Sequence, residues 1–140
     1  MTVEICDEFY TKRLLDDNPD KIFVYGDNLA RKGCGGQAVI RYSKNAFGFS
    51  TKRFPSRSIE AYYTDTEPFK VYEQVERLTQ DVKELKKLSE DYVVVFPAGG
   101  LGTGLSFLQH KSPRFFSEMN DILLLNFGII NSAKGCTKSE

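Results

Sequence analysis

Glycine is concentrated in two segments of this chain, and each segment follows an apolar run that predicts a buried strand. Residues 26–38 (GDNLARKGCGGQA) follow the run at residues 22–25, and residues 97–104 (PAGGLGTG) follow the run at residues 93–96. Glycine lets a ligand come close to the backbone, and its N–H groups can converge on phosphate oxygens. A single glycine would more simply indicate a tight turn that opens a helix. Two such clusters together predict anion-binding loops.

A third polar segment, residues 51–57 (TKRFPSR), follows a weaker predicted strand at residues 46–50. Lys52 is expected at the end of that strand, where partial burial and the nearby arginines Arg53 and Arg57 would favour its neutral amine. A neutral amine is a nucleophile, so Lys52 is a candidate catalytic residue. The alternative is a solvated lysine that only attracts phosphate groups.

The better-known nucleotide and metal motifs are missing from the sequence. It has no GxxxxGK[ST] segment and no GxGxxG segment in the required strand and helix context, which disfavours a P-loop NTPase and a dinucleotide dehydrogenase. His110 is the only histidine, and the three cysteines, Cys6, Cys34 and Cys136, lack zinc-site spacing. We therefore expect reduced thiols and neither a metal nor a cofactor.

Apolar runs alternate with amphipathic segments, which predicts an α/β fold with a largely parallel sheet. Residues 68–88 carry apolar side chains at three- and four-residue spacing and predict a half-buried helix. Further helices are expected near residues 8–15, 36–44 and 113–124, and further strands near residues 3–6 and 125–130. Because ligands bind at the carboxyl ends of parallel strands, the three polar loops should meet at one sheet edge.

The length of 140 residues and the balance of 19 basic against 19 acidic residues indicate one globular domain without a global positive field. We expect this domain at residues 1–131, followed by a disordered tail at residues 132–140. Strong non-specific nucleic-acid binding and membrane association are not expected. With no leader-like apolar segment at the start, the predicted location is cytoplasmic.

The segments GDNLARKGCGGQA, STKR and PAGGLGTGL occur in the order and spacing of the macrodomain superfamily, which the chain resembles over roughly residues 20–130. The resemblance is strongest to the branch of terminal ADP-ribose protein hydrolases and of antitoxins that remove ADP-ribose from DNA. In that branch a threonine-lysine pair ends the middle strand, and Thr51-Lys52 matches it. The resemblance implies a three-layer macrodomain-like fold, with a mostly parallel central sheet flanked by helices. The aspartate that usually recognises adenine has no clear counterpart, although Asp7 and Asp27 are available.

The resemblance further implies that the ligand is ADP-ribose or an ADP-ribosylated substrate, either DNA or protein. Lys52 would be the nucleophile that hydrolyses the ADP-ribosyl linkage, and Asn28, near the distal ribose, would be the second catalytic residue. The implied ligand-binding residues lie in the three loops: Gly26, Asp27, Asn28, Gly33, Gly35, Gly36, Gln37, Thr51, Pro97, Gly99, Gly100, Leu101, Gly102, Thr103 and Gly104.

Two other functions stay open at this point. One is a binder that reads or sequesters ADP-ribose or a similar nucleotide signal without turnover. The other is a phosphatase acting on ADP-ribose phosphate, which is disfavoured because no histidine lies beside the motifs. Under all three hypotheses, Gly36→Val and Gly102→Val are expected to abolish binding without unfolding the protein.

Overall fold

Residues 1–139, which this computed structural model describes, form an α/β fold around a parallel sheet. The order of strands in the sheet is β1-β4-β2-β3, and every neighbouring pair is parallel. The predicted α/β class is thereby confirmed. In chain order the elements are β1 (Val3–Cys6), α1 (Lys12–Asp16), β2 (Lys21–Asn28), β3 (Ala46–Lys52), α2 (Pro68–Leu88), β4 (Val93–Pro97), α3 (Leu108–Lys111), α4 (Pro113–Phe127), β5 (Ile129–Ser132) and β6 (Gly135–Lys138). Two short 3-10 helices, Gly36–Ile40 and Ile59–Ala61, complete the structure.

Side chains of the central strands alternate between two apolar clusters, one on each face of the sheet. Val24 and Phe96 belong to the larger cluster with residues of α2 and α4, whereas Phe23, Tyr25 and Val95 belong to the smaller one. The smaller cluster lies under α1 and the 3-10 helix Gly36–Ile40. Because both faces of the sheet are buried, the sequences of its strands are continuous apolar runs. The sheet and the elements that cover its two faces form three layers.

The long amphipathic helix is confirmed at Pro68–Leu88, but the end of α4 differs from the prediction. α4 continues to Phe127, so the strand expected from residue 125 is wrong in its first part, and β5 begins only at Ile129. Leu123 and Phe127 are both buried one turn apart, which extends the apolar face of the helix. Gly128 then ends the helix in the left-handed conformation, with a φ of 66°.

Two shorter segments also differ from the expectation. The helix expected at residues 36–44 is only the 3-10 helix Gly36–Ile40, and the N-terminal helix begins at Lys12 instead of residue 8. Thr11 caps that helix by accepting a hydrogen bond from the backbone N–H of Leu14 at 3.1 Å.

The expectation of a disordered tail is wrong for residues 132–138. β5 and β6 form an antiparallel hairpin, and Cys136 of β6 is buried in the larger apolar cluster. The backbone N–H of Cys136 donates to the carbonyl oxygen of Ala98 at 3.0 Å, so the hairpin contacts the loop after β4. This contact joins segments far apart in the chain, and no local pattern of polar residues reveals it.

Across residues 1–139, no helix combines the length and the apolar character that spanning a bilayer would need.

Candidate functional site

The three polar loops meet at one cavity of about 310 Å³ at the carboxyl ends of β2, β3 and β4. This is the arrangement expected for loops that follow parallel neighbouring strands. The predicted site residues that line the cavity are Gly26, Asp27, Asn28, Gly33, Gly35, Gly36, Gln37, Thr51, Lys52, Gly100, Gly102 and Gly104.

Four predicted ligand-binding residues do not line the cavity: Pro97, Gly99, Leu101 and Thr103. The side chain of Leu101 is fully buried in the larger apolar cluster and anchors its loop from below. Thr103 donates its hydroxyl to the carbonyl oxygen of Gly99 at 2.7 Å and so closes the loop on itself. Leu101 and Thr103 therefore hold the loop in shape, while Gly100, Gly102 and Gly104 line the cavity.

Backbone N–H groups are the main donors that the loops offer. Within residues 1–139, the N–H groups of Gly33, Gly35 and Gly36 in one loop, and of Gly102 and Gly104 in another, have no acceptor in the chain. A buried backbone N–H group without an acceptor costs free energy, and a water molecule or a ligand oxygen removes this cost by accepting its hydrogen bond. Their concentration around one cavity suits the oxygens of an anion.

Two of the lining glycines differ in what a side chain would meet. Gly36 has a φ of 59°, and an added Cβ would find only Leu105 Cδ1 at 3.7 Å. Gly102 has a φ of 75°, and its Cβ would overlap the buried side chain of Leu108. Valine at Gly102 would therefore disturb the core, so we now expect Gly102→Val to destabilise the fold as well as to block binding.

The carboxylate of Asp27 is buried and forms ion pairs with two arginines. Arg41 Nη2 lies 2.6 Å from Asp27 Oδ1, and Arg31 Nη1 lies 3.0 Å from Asp27 Oδ2. The backbone N–H of Asn28 also donates to Oδ1 at 2.8 Å. Gly48 makes room for this group, because a Cβ there would overlap the carboxylate. Asp27 thus holds the loops together electrostatically and is not free to recognise a base.

Gln37 and Asn28 are also committed to internal contacts. Gln37 accepts from the N–H of Gly26 at 3.0 Å and donates to the carbonyl oxygen of Gly100 at 2.9 Å, which ties the first loop to the loop after β4. Asn28 donates to the carbonyl oxygen of Lys32 at 2.8 Å and closes its own loop. Both residues line the cavity while fixing its shape.

Lys52 ends β3, and its side chain is almost completely buried beside the cavity. Burial lowers the pKa of its amine, and the positive charge of Arg57 lowers it further. Within residues 1–139 no carboxylate lies within 4.0 Å of Nζ, which instead sits 4.5 Å from the centroid of the Tyr62 ring. The ring favours the charged amine and partly offsets the effect of burial.

Thr51, beside Lys52, donates its hydroxyl to the carbonyl oxygen of Asp27 at 3.2 Å. This bond fixes the end of β3 against the end of β2, where the register shifts between Asp27 and Asn28. Thr51 therefore positions the backbone from which the Lys52 side chain extends.

Sequence reasoning missed several residues of the site. The lining residues absent from the prediction are Lys32, Ala38, Arg41, Pro55, Leu105 and Ser106. Lys32, Leu105 and Ser106 adjoin predicted glycines, so extending each loop by one or two residues would have included them. Arg41 and Tyr62 carry no local signal, because only the folded chain brings them to Asp27 and Lys52.

The chain matches a family model over most of its length. The profile described as "Family of unknown function (DUF7831)" matches residues 5–122, which include all three loops. The chain belongs to DUF7831. No curated protein and no solved structure matches it.

Proposed function

We propose that this DUF7831 protein is macrodomain-like, binds ADP-ribose in the cavity and hydrolyses an ADP-ribosyl linkage on DNA or protein, with Lys52 as the nucleophile. The observation that carries the proposal is the position of Lys52: within residues 1–139 its buried amine has no carboxylate oxygen within 4.0 Å, and it lines the same cavity as two loops rich in free N–H groups.

The charge of the cavity supports a diphosphate ligand. Asp27 is the one carboxylate that lines it within the described chain, and Arg31 and Arg41 neutralise it. Lys32 adds positive charge at the lining. The loop glycines would bind phosphate oxygens through their N–H groups, as the resemblance to macrodomains also implies.

The residues of the lining also favour an amine over a carboxylate as the nucleophile. Glycosidases usually employ two carboxylates that flank the scissile bond, and here the single lining carboxylate is held by arginines. The lowered pKa of Lys52 raises the fraction of neutral amine, whose lone pair is available for attack.

In the proposed reaction, the neutral amine of Lys52 attacks the anomeric carbon of the distal ribose. A C–N bond forms, and the bond from that carbon to the base or carboxylate breaks, with its electron pair leaving on the departing group, which takes up a proton. Loss of the second amine proton with opening of the ribose ring gives a Schiff base. Water then adds to the Schiff base, and hydrolysis releases ADP-ribose and regenerates the lysine. Asn28 and Thr51 would act as positioning residues for the ribose and for the lysine.

The second candidate is a binder without turnover. The contact between Lys52 Nζ and the Tyr62 ring favours it, because a lysine kept charged would act as an anion contact and not as a nucleophile. A phosphatase has less support, since His110 lies in α3 and does not line the cavity.

The deciding experiment compares Lys52→Ala with Lys32→Ala, its matched control in the same cavity. We expect Lys52→Ala to abolish release of ADP-ribose from ADP-ribosylated oligonucleotide and peptide, while calorimetry still detects ADP-ribose binding. Lys32→Ala should retain turnover and bind ADP-ribose more weakly. Borohydride added during turnover should leave ADP-ribose attached to the wild type only at Lys52.

Three outcomes would contradict the proposal. Substantial turnover by Lys52→Ala would remove the lysine from the reaction. If the wild type binds ADP-ribose but releases none from either substrate and traps no adduct, the binder becomes the function. If ADP-ribose fails to bind at millimolar concentration, the ligand assignment itself is wrong.

We also propose a cytoplasmic location. The three cysteines are free thiols, and Cys34 is exposed in the first glycine-rich loop, which suits a reducing compartment. Cell fractionation with an antibody to the chain tests this proposal.

A further inference from the structure

A second cavity, of about 220 Å³, lies beside the first and was not predicted from the sequence. The two cavities share the ends of β2 and β3. Asn28 and Lys52 line the first, while their chain neighbours Leu29 and Arg53 line the second. The remaining lining residues of the second cavity come from the segment before α2 and from α2 itself: Tyr63, Thr64, Lys70, Glu73, Gln74 and Arg77.

Three cationic side chains line this second cavity. Lys70 and Arg77 are seven residues apart on α2, which places them on one face of the helix, and Arg53 approaches from the end of β3. Among residues 1–139, none of the three has a carboxylate oxygen within 4.0 Å. With Glu73 as the one acidic residue in the lining, the cavity carries an excess of two positive charges.

The ring of Tyr63 forms a buried part of the wall. Tyr63 is only 1% exposed. Burial is the main cause of its raised pKa, the charge of Asp81 raises the pKa further, and the charges of Arg31 and Arg77 and the Ser50 hydroxyl act in the opposite direction. The Tyr63 hydroxyl therefore lies inside the fold beside Ser50, and the three cationic side chains are the groups that a ligand in this cavity would meet.

The polar part of the wall is held in place by internal hydrogen bonds. Gln74 accepts from the N–H of Thr64 at 3.0 Å and donates to the hydroxyl of Ser112 at 3.4 Å. These bonds fix the segment before α2 against the helix, so the cavity is formed before any ligand arrives.

We propose that this second cavity binds a phosphate group, with Arg53, Lys70 and Arg77 as the cationic contacts. A phosphomonoester dianion matches the excess of two positive charges. The phosphate could belong to a free mononucleotide or to the terminal phosphate of a nucleic-acid strand. This site does not depend on the function proposed for the first cavity.

The test is a titration followed by backbone amide NMR, with inorganic phosphate, adenosine 5′-monophosphate, and an oligothymidylate with and without a 5′-phosphate. We expect the amides of Leu29, Thr64 and Gln74 to shift. Arg77→Gln should weaken the affinity read from these amides about tenfold, and Glu73→Gln should strengthen it. Lys83→Gln, on the same helix but outside the cavity, is the matched control and should leave the affinity unchanged.

Shifts confined to first-cavity amides such as those of Gly35 and Gly104 would overturn the proposal, and so would equal weakening by Arg77→Gln and Lys83→Gln. Tighter binding of the phosphorylated oligonucleotide than of the mononucleotide would identify a strand terminus as the source, and the reverse would identify a free nucleotide. If ADP-ribose shifts none of the first-cavity amides while phosphate shifts the amides of Thr64 and Gln74, the function proposed for the first cavity is wrong and the second phosphate site is supported.

Discussion

The carboxylate of Asp27 is the electrostatic centre of the first cavity. Its two arginine partners come from different positions, since Arg31 follows in the same loop and Arg41 follows the 3-10 helix. Arg41 also donates to the carbonyl oxygens of Gly33 and Lys32, at 2.7 and 3.0 Å. One carboxylate therefore fixes both arginines, and one arginine fixes the glycine-rich loop.

Removing this carboxylate's charge should destabilise the protein strongly. Asp27→Asn leaves Arg41, whose side chain is 5% exposed, without its counter-ion, and breaking a buried pair costs about 3 kcal/mol. The matched control is Asp17→Asn, which breaks the exposed pair of Asp17 with Arg13 and should cost less than about 0.5 kcal/mol. Urea unfolding measures both. Equal losses would show that the buried pair contributes no more than the exposed one.

The stability of the protein should also depend on pH through the titration of Lys52. Because its pKa is lowered in the folded state, the folded protein binds fewer protons at this amine than the unfolded protein does between the two pKa values. The free energy of unfolding therefore rises with pH across that window. At pH values below the window, the whole penalty for burying the charged lysine applies. Lys52→Met removes the penalty, so it should raise Tm at neutral pH.

The gain from Lys52→Met should shrink as pH increases toward about 10, where the unfolded lysine also loses its proton. Thermal melts at several pH values follow this difference. Lys83→Met, on the exposed side of α2, serves as the control. A gain that does not vary with pH, or the same trend in both variants, would contradict the lowered pKa of Lys52.

At the scale of elements, each loop glycine has its own role, and the structure separates them. Gly104 lines the cavity, has no heavy atom within 4 Å of an added Cβ, and has a φ outside the positive range. Gly99 has equal space but does not line the cavity. Gly102 has no space at all, because its Cβ would overlap Leu108.

Valine substitutions should separate binding from folding in this loop. Gly104→Val is expected to reduce ADP-ribose affinity at least about tenfold with an unchanged Tm, since its side chain occupies ligand space. Gly99→Val should change neither quantity. Gly102→Val should lower the free energy of unfolding by about 3 kcal/mol through overpacking and a strained φ. Calorimetry measures the ADP-ribose affinity and thermal melts measure Tm. Equal ADP-ribose affinity of Gly104→Val and Gly99→Val would show that the ligand lies elsewhere.

At the scale of the whole molecule, the C-terminal hairpin supports the loop after β4. Asn131 accepts from the N–H of Leu101 at 2.9 Å and donates to its carbonyl oxygen at 3.0 Å. Gly135 packs against Ala98, where any Cβ would overlap the carbonyl group. The hairpin therefore fixes one wall of the first cavity although it contributes no residue to the lining.

Two glycines with positive φ test this support. Gly135→Ala adds a backbone clash to the strain of its φ of 111°, whereas Gly128→Ala adds strain alone, since its Cβ meets nothing within 4 Å. We expect a loss of about 1 kcal/mol for Gly128→Ala and at least about 3 kcal/mol for Gly135→Ala. Denaturant unfolding measures both losses. Similar small losses would mean that the hairpin is not packed against the loop.

The elements that local patterns specify agree with the prediction. The helix Pro68–Leu88 has both bounds as expected, because a long apolar face and a proline in the first turn are properties of the segment itself. The strands β2 and β4 follow from apolar runs that are buried on both faces. The start of β5 was placed too early and β6 was missed, because the loop after β4 that the hairpin contacts is remote in the chain.

The α/β class, the three loops and most residues of the first cavity could be predicted from local patterns, because the parallel strands of a sheet bring such loops to one edge. Three features depend on contacts made in the folded chain: which residues line the cavity, the pairing of Asp27 with Arg31 and Arg41, and, within residues 1–139, the burial of Lys52 with no carboxylate oxygen within 4.0 Å of its amine. The tertiary structure also revealed the second cavity at Arg53 and Arg77. Burial and charge pairing depend on contacts between distant segments, and no local spacing encodes them.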